Sequence, residues 1–154
     1  MKHLIVLVGN IGAGKSTIAK EYQEKGYVVI ARDGLRYAIG GGTYIFNLEY
    51  EGIIRKLENK MLDYFMEKGV DIVVDTVGVS KEMRKKYILC GKNYGYKTIC
   101  IELKKLTKKE SVNRRMNDPH EQYDREIWED VWETFDNQYQ KPSLDEGFNE
   151  MIKL

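Results

Sequence analysis

Leu4-Ile5-Val6-Leu7-Val8 runs without a break into Gly9-Asn10-Ile11-Gly12-Ala13-Gly14-Lys15-Ser16-Thr17. The first five residues are apolar and rich in β-branched side chains, too few for a stable helix, and they read as a buried strand. The next nine place glycines where a chain must turn tightly and approach a ligand with no Cβ in the way. Successive backbone N–H groups in such a turn converge on an anion, and the N-terminus of a following helix adds its positive end.

The spacing Gly9-x4-Gly14-Lys15-Ser16 fills every position of the Walker A pattern, with a strand before it and a helical stretch after it. The reading is an ATP (or other NTP) site made by Gly9, Asn10, Ile11, Gly12, Ala13, Gly14, Lys15, Ser16 and Thr17. Lys15 reaches the β- and γ-phosphates, and the Ser16 hydroxyl ligates Mg²⁺. Thr17 adds a phosphate contact or starts the helix.

Outward from this loop, β-rich runs alternate with helical ones. Lys15–Lys25 suits a helix stopped by Gly26, Tyr27–Ala31 a second strand, and Arg32–Gly42 a loop or short helix. Asn47–Lys68 carries Ile53, Ile54, Leu57, Met61, Leu62, Phe65 and Met66 at steps of three and four, one helical face ended by Gly69. Val70–Val74 is a third strand closed by Asp75. Ser80 is placed to cap a helix whose inward positions are Met83, Tyr87, Ile88 and Gly91. Thr98–Leu103 is a fourth strand. Thr107 and Glu110 have capping-box spacing for a helix over Ser111–Met116, Asn117–His120 breaks it, and Tyr123–Gln138 forms a last amphipathic helix. Alternation of this kind predicts an α/β fold with a parallel sheet, and a ligand site beyond the carboxyl ends of its strands.

The chain has 154 residues, the size of one domain, and two cysteines. The short apolar opening is neither a secretory leader nor a membrane span, so a reducing cytoplasm is expected. Cys90 and Cys100 lack zinc spacing, and His3 and His120 lack metal-binding company. The net charge of +1 conceals a split: 22 Lys and Arg against 13 Asp and Glu over residues 1–115, and 3 against 11 over the remainder. A basic body gathers phosphates, which permits a polynucleotide partner without requiring one. Lys81, Arg84, Lys85 and Lys86 can track a polynucleotide backbone or form a solvated helix face. The Tyr and Trp residues between Tyr123 and Tyr139 read as core.

Three further segments fall at strand ends. In Arg32-Asp33-Gly34-Leu35-Arg36, Asp33 is a candidate base for a hydroxyl acceptor, and Arg36, one helical turn on, suits an acceptor phosphate. Asp75 ends the third strand, where a carboxylate can hold Mg²⁺ through water or anchor Arg36. Arg114 and Arg115 offer cations for the charge that develops on a transferring phosphoryl group.

With these residues assembled, the chain resembles the 5′-hydroxyl polynucleotide kinase module of phage and eukaryotic end-repair enzymes, within the small P-loop kinases. The likeness rests on Gly9–Thr17, Arg32-Asp33-x-x-Arg36, Asp75-Thr76, Asn113-Arg114 and the closing Pro142-Ser143-Leu144-Asp145-Glu146-Gly147-Phe148. It implies a P-loop NTPase kinase fold, with about four parallel strands in the order 2-3-1-4. A lid over about 107–125 would complete a single kinase domain spanning 1–154. It further implies that Asp33 is the general base, that Arg36 binds the acceptor phosphate, that Asp75 and Thr76 support the acceptor, and that Arg114 and Arg115 act from the lid. Two departures stand out. Thr76-Val77-Gly78 lacks an Asn common in the family, and the lid arginines are adjacent rather than separated. The function expected is transfer of the ATP γ-phosphate to the 5′-hydroxyl of DNA or RNA. A kinase for a small-molecule or tRNA-linked hydroxyl, and a nucleotide-binding protein without turnover, are the alternatives.

Overall fold

The computed structural model describes residues 1–118 and 123–154. Strand β1 (His3–Val8) leads through the glycine-rich loop into α1 (Lys15–Glu24) and β2 (Val28–Ala31). Helices α2 (Arg32–Ile39) and α3 (Glu51–Glu67) precede β3 (Ile72–Asp75). Then come α4 (Lys81–Asn93), β4 (Lys97–Glu102), α5 (Lys108–Met116), α6 (Arg125–Gln138), a short 3-10 turn (Leu144–Glu146) and β5 (Glu150–Lys153).

The five strands form one parallel sheet in the order β2-β3-β1-β4-β5. The order expected for four strands holds, and a fifth, unforeseen strand extends the edge beside β4. Helices cover both faces, so the central strand is buried on both sides and its sequence is continuously apolar. Leu4, Val6 and Val8 pack with Leu62, Met66 and Tyr87 on one face. Ile5 and Leu7 pack with Ala19 on the other. The period-two alternation of a strand divides these sets.

Two helix faces differ from expectation. In α3 the buried residues are Ile54, Glu58, Leu62 and Met66, whereas Ile53 and Leu57 face solvent. Glu58 goes inward because three donors meet it: Arg32 Nε at 2.7 Å, Lys86 Nζ at 2.6 Å and the Tyr87 hydroxyl. Burial alone would raise its carboxyl; hydrogen bonds from Lys86, Tyr87 and Arg32 hold it below the usual range. In α4, Arg84 is fully buried, not a surface cation. It donates to both oxygens of Glu146 at 2.8 and 2.7 Å and to the carbonyls of Gly78 and Gln140 at 2.7 and 2.9 Å. This cluster pins the closing Pro142–Phe148 segment against the connection that follows β3.

Local signals were met elsewhere. The Ser80 hydroxyl accepts from the Met83 N–H, and Thr107 and Glu110 form a reciprocal capping box. Both cysteines are free thiols. Among the described residues no helix is long and apolar enough to cross a membrane. Of the Asn117–His120 break, Pro119 and His120 lie outside the described residues, as does part of the 107–125 lid.

Candidate active site

Every motif of the site sits at a carboxyl end of the sheet. The phosphate loop leaves β1, Asp33 lies in the first turn of α2 just past β2, Asp75 closes β3, and α5 follows β4. Together they border a cavity of about 590 Å³, lined by Lys15, Ser16, Thr17, Asp33, Asp75, Thr76, Arg114 and Arg115 among others.

Local backbone explains the loop. Gly12 and Gly14 have φ of 65° and 99°, where a side chain is strained, and a Cβ on Gly12 would overlap the Ser111 carbonyl oxygen. Helix α5 therefore rests on the loop. One turn further along α5, Arg114 places Nη1 4.0 Å from where a Gly14 Cβ would be. Asn10 ties the loop to α6 by donating to the Trp132 carbonyl at 2.9 Å. Lys15 donates to the Asn10 carbonyl at 2.7 Å. Burial lowers its pKa to about 8, although the charges of Asp75 and Asp33 work the other way. An ammonium held, among the described residues, by the Asn10 carbonyl is suited to receive an anion.

The Ser16 hydroxyl donates to Asp75 Oδ2 at 2.9 Å. Burial raises the Asp75 carboxyl, with Lys15 and Ser16 opposing the shift. One hydroxyl and one carboxylate oxygen, beside a phosphate cradle, are the hard donor set that Mg²⁺ takes together with substrate phosphates and water. Ligands about 2.1 Å from an octahedral ion lie about 3.0 Å apart when adjacent, so the observed spacing fits. Asp75 thus stands on the Ser16 side of the cavity, and Arg36 is anchored by other groups.

Arg36 meets Glu51 through Nε at 2.9 Å and Nη2 at 2.7 Å, and Asp33 through Nη1 at 2.7 Å. Burial works against its charge, but hydrogen bonds to Glu51 and the charge of Asp33 more than offset this and raise its pKa. A guanidinium has five N–H donors, so three bonds leave two for a ligand. Asp33 does not cap its helix, because Ala31 is the N-cap and no side-chain cap bond forms. Its side chain is 61% exposed toward the site.

The two arginines of α5 separate. Arg114 is exposed and adjoins the loop, whereas Arg115 stacks over Trp128 at 4.3 Å and Tyr44 at 5.3 Å and reaches Asp118 at 3.4 Å. Trp128 is buried in a ring cluster with Tyr44 and Tyr123. These rings, with Phe135, line the cavity, so Tyr123 and Trp128, read from sequence as core, form part of its wall. Tyr44, Phe46 and Glu51 had no motif to mark them.

A model of the AAA domain matches residues 4–142. The chain belongs to the AAA domain family. The fold is shared with solved P-loop kinases. A chain of the Pnkp1/Rnl/Hen1 RNA repair complex superposes with a TM-score of 0.71 at 20% identity, over 89% of this chain and 45% of that one. A fungal RNA kinase superposes at 0.66 and 19% identity, over 99% and 38%. The Mycobacterium tuberculosis APS kinase CysC, in complex with AMPPNP and APS, superposes at 0.60 and 15% identity, over 99% and 88%. This chain spans less than half the length of the two RNA-related proteins.

Proposed function

We propose that this protein is an ATP- and Mg²⁺-dependent kinase that transfers the γ-phosphate to the 5′-hydroxyl of DNA or RNA. One observation carries the reading: Asp33 and Arg36 are joined at 2.7 Å beside a cavity whose other end is the phosphate loop. A base and a phosphate-binding cation are thereby presented together to an acceptor facing ATP. The RNA repair and RNA kinase neighbours support the same acceptor class.

In the proposed reaction, Gly9–Thr17 cradle the β- and γ-phosphates, and Lys15 neutralises charge between them. Ser16 and Asp75 would hold Mg²⁺, which would supply charge neutralisation on the phosphates. Asp33 accepts the proton as the acceptor oxygen bonds to the γ-phosphorus. The bond from that phosphorus to the β,γ-bridging oxygen breaks, and ADP leaves. Arg36 holds the acceptor's own phosphate, Thr76 contributes from the cavity lining, and Arg114 balances charge on the transferring group. Arg115 lines the same cavity from the aromatic wall. Helix α5, in the described part of the proposed lid, brings these arginines toward the nucleotide.

A small-molecule acceptor is the second reading, favoured by a cavity within the size range of small-ligand pockets and by the fold shared with APS kinase. Incubation with γ-labelled ATP, Mg²⁺ and a panel of 5′-hydroxyl DNA and RNA oligonucleotides and small alcohols distinguishes them. Label at oligonucleotide 5′ ends supports the first reading, and label in small alcohols alone supports the second.

A further inference from the structure

Between α2 and α3 the chain crosses the acceptor end of the cavity, and it carries two aromatic residues there with opposite fates. Tyr44 is drawn inside, with ring centroids 5.5 Å from Tyr37, 5.9 Å from Tyr123 and 6.1 Å from Trp128. Phe46, two residues on, is 48% exposed and lines the same cavity. Its backbone N–H lies 3.4 Å from the Tyr123 hydroxyl, and among the described residues its ring has no aromatic partner. The Arg36 guanidinium covers one of its faces at 5.6 Å. A phenylalanine that served only to fill space would join the ring cluster as the half-buried Tyr44 does. Phe46 is instead held at the cavity mouth, half in solvent, against the cation assigned to the acceptor phosphate.

Resting on the polynucleotide reading above, we propose that Phe46 is the stacking platform for the nucleobase of the terminal acceptor nucleotide. The three parts of that nucleotide then meet three adjoining groups. The 5′-hydroxyl meets Asp33, the 3′-phosphate meets the two remaining N–H donors of Arg36, and the base meets the exposed ring of Phe46. Every base presents a π-face, so a platform of this kind accepts any sequence while rejecting an acceptor with no base. Anchoring of Tyr44 in the ring cluster keeps the platform in place before the acceptor arrives, which lowers the ordering cost of binding.

The test compares a 5′-hydroxyl oligonucleotide with the same oligonucleotide whose first nucleoside is abasic, using the unmodified protein, Phe46→Ala and Phe46→Tyr. The unmodified protein is expected to favour the base-bearing end. Phe46→Ala should raise its acceptor KM at least about fivefold, the low end of what stacking one base contributes. The KM for the abasic end and for ATP should stay unchanged, and Phe46→Tyr should restore the base-bearing KM. An equal effect on both ends, or none on either, overturns the platform while leaving the kinase reading intact. Failure of the unmodified protein to label any 5′-hydroxyl oligonucleotide overturns both.

Discussion

Arg36 is clamped along its Nε–Nη2 edge by the carboxylate of Glu51, at 2.9 and 2.7 Å, and both side chains are largely buried. A bidentate pair of this kind fixes the plane of the guanidinium as well as its place. Hydrogen bonds from Arg36 hold the Glu51 carboxyl below its usual range, so the clamp is ionised at neutral pH. The cation proposed for the acceptor phosphate therefore comes from α2, while its orientation comes from the first residue of α3.

Removing the clamp should be felt on the acceptor side only. Glu51→Ala leaves Arg36 held by Asp33 alone and costs a charge-assisted contact of about 1.5–3 kcal/mol. The acceptor KM should rise about tenfold or more, with the ATP KM unchanged. Steady-state kinetics with each substrate varied in turn reads this directly. An unchanged acceptor KM in folded Glu51→Ala protein would refute the clamp.

The adjacent arginines of α5 should separate by phenotype. Arg114 adjoins the phosphate loop and is exposed, so Arg114→Ala should lower kcat about 10²–10³-fold with little change in Tm. Arg115 stacks on Trp128 and Tyr44, so Arg115→Ala should lower Tm, at a cost of about 0.5–2 kcal/mol. Thermal melts set beside kcat values decide it, and the reverse pattern would exchange the two assignments.

Lys15 should make nucleotide binding pH-dependent. With a pKa near 8 it is mostly charged at pH 7 and mostly neutral at pH 9 when no phosphate is present. Bound phosphates favour the charged form and raise that pKa. Binding should therefore take up a proton above pH 8 and little below pH 7, with affinity falling as pH climbs past 8. Calorimetry in buffers of different ionisation enthalpy measures the uptake. Proton release, or no uptake at pH 9, contradicts the assignment.

Arg84 carries the largest stability forecast. Glu146→Ala leaves a fully buried guanidinium without its carboxylate, which commonly costs about 3–5 kcal/mol. Denaturant unfolding should show that loss, and a change below about 1 kcal/mol would contradict the pinning of the closing segment.

Sequence legibility followed the range of each interaction. The phosphate loop, the Ser80 cap and the Thr107 capping box are local, and their residues announced them. The parallel order was legible because alternating elements leave few topologies. Strand β5 was not: Glu150-Met151-Ile152-Lys153 is four residues with charged ends, and its pairing with β4 is supplied by the sheet edge. Arg84 read as part of a backbone-tracking or solvated helix face because its carboxylate partner lies 62 positions away, and no local signal marked Glu58, whose charged partners lie 26 and 28 positions away. No motif marked Glu51 or Phe46. Both gain meaning only when α2 brings Arg36 against them.

Asp33 bears the central claim. Its substitution by Asn preserves shape and removes the proton acceptor, and since Asp33 makes no cap bond, α2 should start as before. The deciding measurement follows γ-labelled ATP with a 5′-hydroxyl oligonucleotide and Mg²⁺, scoring label at the 5′ end and free phosphate separately. The account predicts 5′ labelling by the unmodified protein and a loss of about 10²-fold or more in Asp33→Asn, with nucleotide affinity and residual ATP hydrolysis retained. Undiminished 5′ labelling by a well-folded Asp33→Asn protein would contradict it.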